Sequence, residues 1–197
     1  MKTIRPASVI ALAACLSLTG ATALAQDPDG VRKLGATQVR YQGAEIDLVV
    51  SYRFAANNLG SEWLFLDVAL TGTRAKAVEI KREAIRLRLP DGSEVSLPDQ
   101  QEFGQVYREL HAMVARADRM AEPLDIYSGR TPEPLAFLRP PGDGVSVLSV
   151  WANDRRVFLG RLYFPVPGGV QPGPYELRID VGELTAQVPF TLEARQR

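Results

Sequence analysis

Ile46-Asp47-Leu48-Val49-Val50-Ser51-Tyr52-Arg53-Phe54 and, after a turn, Trp63-Leu64-Phe65-Leu66-Asp67-Val68-Ala69-Leu70-Thr71-Gly72 decide the fold. Both alternate with a period of two, the repeat of a strand with distinct faces. In 45–54 the even positions are apolar, and Glu45, Asp47, Ser51 and Arg53 fall on the odd ones. In 62–72 Leu64, Leu66, Val68 and Leu70 share one face. Asn57-Asn58-Leu59-Gly60 supplies the turn between them.

Strand patterns continue beyond this pair. Ile85, Leu87 and Leu89 alternate with Arg86 and Arg88, Pro90-Asp91-Gly92 makes a turn, and Glu94 to Leu97 returns, so 84–97 reads as a hairpin. At 99 the period changes. Asp99 with Glu102 three residues on forms a capping box. Phe103, Val106, Tyr107, Leu110, Met113, Val114 and Ala117 then follow at helical spacing, predicting one amphipathic helix over 100–120. Five prolines (123, 132, 134, 140 and 141) make 121–144 an irregular crossing. Val145–Trp151 and Val157–Phe164 read as a hairpin about Asn153-Asp154, apolar on both faces and therefore central. Strands at 175–181 and 184–192 close the chain.

Eight or nine short strands with turns between them predict an all-β antiparallel sandwich with one inserted helix. Leu66-Asp67-Val68-Ala69-Leu70-Thr71-Gly72, Ile85-Arg86-Leu87, Pro90-Asp91-Gly92 and Val95-Ser96-Leu97 resemble telokin-like, immunoglobulin-fold bacterial extracytoplasmic domains. The resemblance covers about 35 residues. It implies an immunoglobulin-like, non-catalytic accessory or binding module and carries over no functional residue. The inserted helix departs from that pattern.

The first 25 residues read as a secretory signal: Lys2 and Arg5, an apolar run from Val9 to Leu18, and Ala23-Leu24-Ala25 before Gln26. Residues 26–35 read as a linker and 36–197 as the domain. Cleavage there removes the only cysteine, Cys15, so the exported chain folds without disulfides. Leu12-Ala13-Ala14-Cys15 also matches a lipoprotein cleavage box, and the two processing routes stay open. The first gives a free protein of the bacterial periplasm, the second a membrane-tethered one. Loss of Lys2 and Arg5 turns 23 basic against 23 acidic residues into 21 against 23, a balance that gives nucleic acid no electrostatic purchase. After the leader no apolar stretch is long enough to span a membrane as a helix.

Catalytic chemistry has few candidates. His111 is the only histidine, at the border of the helix's apolar face, and no Gly-x-Ser-x-Gly elbow accompanies it. A copper site from His111, Met113 and Met120 is disfavoured, since positions two apart on a helix point about 200° apart. Asp47 and Asp67, on the outward faces of neighbouring strands, are the best carboxylate pair for a hydrolase, against the reading that both are solvated surface acids. Arg82, Arg86 and Arg88 make a basic row that reads as a solvated strand face or as an anionic-polymer contact. No metal or cofactor is expected.

The residues favour a non-catalytic binding or envelope-associated module. An exported carboxylate hydrolase and a structural subunit of an envelope assembly are the alternatives. The expected partner is a protein or cell-envelope component. The candidate interaction surface is Trp63, Phe65 and Tyr127: with the leucines inward, Trp63 and Phe65 point outward, where they need either the inserted helix as a cover or a partner.

Overall fold

A computed structural model of the protein describes residues 30–124 and 127–194. The expected signal segment and Cys15 therefore lie outside the described residues.

The chain is mostly β. In chain order it runs β1 (Val31–Lys33), β2 (Gln38–Gln42), β3 (Ile46–Ser51), the one-turn helix α1 (Arg53–Ala56), β4 (Trp63–Gly72), β5 (Val78–Lys81), a 3-10 turn (Arg82–Ala84), β6 (Ile85–Arg88) and β7 (Glu94–Ser96). Then come the long helix α2 (Gln100–Met120), β8 (Thr131–Pro134), β9 (Ser149–Ala152), β10 (Arg156–Pro165), β11 (Gly173–Val181) and β12 (Leu184–Leu192). One sheet has the order β1-β2-β3-β4-β10-β8, a second β12-β11-β6-β7, and β5 with β9 forms a separate ribbon.

The even positions of β4 behave as their period demands. Leu64, Leu66, Val68 and Leu70 join one buried cluster with Leu162 and Phe164 of β10, and with Ile85, Leu87, Leu177, Ile179, Val188 and Phe190 of the second sheet. The two sheets thus share a single core. Each such side chain contributes about 1.5–3 kcal/mol when fully buried.

The odd positions of the first sheet are covered as well. Helix α2 lies over the end of β4 that carries Trp63 and Phe65. Its buried Phe103, Leu110 and Ala117 pack with Phe54, Phe65, Leu138 and Tyr163, and Trp63 packs against the edge of the cluster. The capping box starts the helix where expected: Glu102 N–H donates to Asp99 Oδ1 at 2.8 Å, and Asp99 N–H to Glu102 Oε2 at 3.0 Å. Gln100 clamps the same end to the crossing through paired bonds of 2.8 and 2.9 Å with the backbone of Arg139. Farther along the sheet, Tyr127 packs on Val49, Ala69 and Val157.

Four expectations need correction. The strand at 45–54 ends at Ser51, and Arg53–Ala56 turns into α1, which carries Phe54 out of the strand and under α2. The linker 26–35 contains β1, paired with β2. The crossing holds β8, parallel to β10 despite its two prolines, which an edge strand tolerates. The largest change concerns 145–164. β10 is central, between β4 and β8, but β9 does not pair with it; β9 pairs with β5 instead. Thr71 and Gly72 explain the break, since the Thr71 hydroxyl and the Gly72 N–H both donate to Asn153 C=O, at 3.1 Å each. A Cβ on Gly72 would lie 2.6 Å from Asn153 Cα, so only glycine admits this approach.

Candidate interaction surface

The three residues singled out in the sequence do not form one exposed patch. Phe65 is 1% exposed and Tyr127 7%, while Trp63 is half-buried at the rim of the α2 cluster. Phe65 stacks on Phe54 at 5.3 Å and meets Tyr163 edge-on at 4.9 Å, contacts that account for its outward position. Helix α2 is the cover over Trp63 and Phe65.

Tyr127 belongs to a polar network beneath the crossing. Its hydroxyl donates to Asp47 Oδ1 at 2.8 Å. Arg40 grips both oxygens of Asp47, and the guanidinium groups of Arg40 and Arg130 stand 5.5 and 5.1 Å from the centre of the Tyr127 ring. Arg130 also donates to the Thr71 hydroxyl. Burial drives the Tyr127 phenol far above its ordinary pKa, and the charge of Asp47 adds to the effect.

Asp67 sits on the same face, in a depression of about 460 Å³ lined also by Asp118, Glu122, Arg161 and Tyr163. Arg161 donates to Asp67 at 2.7 Å and to Asp118 at 2.8 Å. Burial raises the Asp67 pKa, with smaller upward pushes from the charges of Asp118 and Glu122, and this outweighs the pull of Arg161. Glu122 accepts from Ser51 at 2.7 Å and Thr37 at 3.0 Å. Neither Asp47 nor Asp67 is the solvated surface acid expected. Each is paired with an arginine, Asp47 with Arg40 and Asp67 with Arg161.

The remaining candidates are placed as follows. His111 is exposed, with its ring 6.2 Å from that of Tyr107. Met113 turns into the α2 cluster, where its sulfur accepts from Asn58 and Ser61, so it shares no direction with His111. Among the described residues no group of three His, Cys, Asp or Glu side chains converges as a metal site. In the basic row Arg86 pairs with Asp180 and Glu94, Arg88 is exposed, and Arg82 lies in the 3-10 turn. No described helix is long and apolar enough to cross a membrane.

What the molecule does expose lies elsewhere. Val145 is 85% exposed, Leu148 72% and Trp151 57%, within seven residues of chain leading into and along β9. The alternation of β9 explains this for Trp151, and Val145 and Leu148 precede the strand. Val150 and Ala152 point into the core, so Ser149 and Trp151 face out, and no element of the described chain lies over them. Trp151 stands opposite Glu79 on β5, with Lys81 opposite Ser149. Arg82 N–H holds Leu148 C=O at 2.8 Å, which fixes the start of the ribbon. In the sequence these residues stand in a run that is apolar on both faces, a pattern that predicts a central strand and conceals an uncovered face. The signal was present in Gly142 and Gly144, whose positive φ of 87° and 88° sets the run off on a turn of its own.

No protein-family model, no curated protein and no solved structure matches this chain.

Proposed function

We propose that the protein is an exported, non-catalytic binding or envelope-associated accessory module on an immunoglobulin-like sandwich. It engages a protein or envelope component through the Val145–Leu148–Trp151 surface. The observation that carries this reading is the exposure of one large aromatic and three aliphatic side chains in a single short run, Val147 the least exposed of them, where Trp63, Phe65, Asp47 and Asp67 are already committed to internal partners. Exposed apolar side chains gathered in one place are a marker of contact surfaces, and tryptophan is enriched among the residues that dominate binding. A β-ribbon anchored through Ile80, Val150 and Ala152 gives them a rigid base.

The test is a side-by-side capture with tagged mature protein and a Val145→Ser/Leu148→Ser/Trp151→Ser variant, using detergent-solubilised native envelope. The expected outcome is a stoichiometric component retained by the wild-type chain and lost by the variant at unchanged thermal stability. Equal retention by both would remove this surface from the function.

A further inference from the structure

Beside the ribbon lies a cleft of about 760 Å³. Ala77, Val78, Glu79 and Lys81 form one wall, and the β11–β12 turn, Asp180 to Leu184, forms the other. Side chains of a strand alternate between faces, so a cleft touched by Ala77, Val78 and Glu79 in succession meets β5 at its edge and not on one face. The edge arises where the 3-10 turn Arg82–Ala84 ends the pairing of β6 with β11 at Ile85 and Ile179 and lets β5 swing away to join β9.

The direction of the backbone groups follows from the register. Arg82 N–H points to Leu148 C=O, in line with the pairs Ile80–Val150 and Val78–Ala152. In an antiparallel ladder alternate residues face the partner strand. Ala77 and Glu79 therefore direct N–H and C=O away from β9, into the cleft, and Lys81 its N–H. Lys81 C=O is taken by Ala84 N–H as the first bond of the 3-10 turn; among the described residues the backbone groups of Ala77 and Glu79 pair with no strand. Two edges of the larger sheets are guarded: β8 carries Pro132 and Pro134, and β12 carries Pro189. β5 has no proline, and the exposed Leu184 lies across the cleft from it.

We propose that the free edge of β5 takes up an extended peptide segment of the partner as an added antiparallel strand, in which apolar and charged residues alternate. This rests on the reading of the protein as a binding module and names the form its partner presents. A row of outward N–H and C=O groups is satisfied by another strand's backbone, and side-chain pockets set the sequence preference. One face of the added strand continues the apolar row of Val78 and Ile80 toward Val181 and Leu184. The other face meets Glu79 and Lys81 and calls for a lysine and a glutamate in the reversed order of an antiparallel pair.

The probe is the acetylated, amidated peptide Thr-Val-Glu-Val-Lys-Val-Thr, titrated by fluorescence anisotropy into the mature protein. Saturable binding is expected. N-methylation of alternate peptide nitrogens should weaken it by about tenfold or more, because main-chain bonds are lost with side chains unchanged. Glu79→Pro should do the same, since it deletes an N–H that points away from β9 and spares the ribbon. Absence of saturable binding at millimolar peptide, or equal binding by the N-methylated peptide or by the Glu79→Pro variant, would overturn the proposal. The assay uses purified protein, so such a failure leaves the Trp151 surface standing. A Trp151→Ser variant that still captures its envelope component, with peptide binding intact, would instead remove the Trp151 surface and keep the strand site.

Discussion

The hydroxyl of Tyr127 donates to Asp47 across 80 residues of sequence, and this 2.8 Å bond fastens the crossing to the outer face of the first sheet. Asp47 is thereby satisfied from two sides, by Tyr127 and by Arg40. Tyr127→Phe keeps the ring between its two arginines and removes only the bond. A hydrogen bond to a charged acceptor contributes about 1.5–3 kcal/mol, so urea unfolding should show a loss of that size. Amide exchange in Tyr127–Pro134 should rise more than in β11.

The aromatic cluster beneath α2 gives a second expectation. Phe103 lies 4.8 Å from Tyr163, which in turn lies 4.9 Å from Phe65. Phe65→Ala and Phe103→Ala should each cost about 3–5 kcal/mol. The double variant should cost less than their sum, because both open one cavity. Chemical denaturation of the four proteins measures the coupling, and strict additivity would mean that the helix does not share a core with β4.

Alkaline pH should weaken the fold through Tyr163. Burial pushes its phenol up to about 12. The unfolded phenol titrates near pH 10, so the stabilisation is fully present below about pH 10 and is lost as pH rises toward about 12. The loss is on the order of 2–3 kcal/mol. Thermal midpoints followed across this window should fall more steeply for the wild-type chain than for Tyr163→Phe. Parallel curves would rule out a buried neutral phenol.

Gly160 admits the crossing to the sheet. A Cβ at this position would lie 2.8 Å from both Cβ and the carbonyl oxygen of Leu135. Gly160→Ala should therefore cost about 1–3 kcal/mol by overpacking. The exchange protection of Leu135 N–H, which donates to Leu159 C=O at 2.8 Å, should fall with it. Unchanged protection would show that β8 is held by other contacts.

Local pattern made much of this architecture legible. The alternation at 62–72 separated Leu64 from Phe65, and the capping box at Asp99 and Glu102 set the start of α2. Partner choice was less legible, because it is decided at a distance. β9 and β10 both looked like members of one hairpin, yet the close approach of Gly72 to Asn153 sends β9 to β5. Asp47 and Asp67 looked like surface acids, since nothing in their own strands announces Arg40, Tyr127 or Arg161. Trp151 was hidden by the same ambiguity: an apolar run shows that both faces are apolar, not that one of them is left uncovered.

The central claim is that the ribbon face around Trp151 meets a partner in the native envelope. Photo-crosslinking from position 151 in the exporting cell tests it most directly, with position 108, exposed on α2, as the control. A discrete higher-mass adduct from position 151, absent from position 108, is the expected result. No adduct from 151, or the same adduct from both positions, would contradict it.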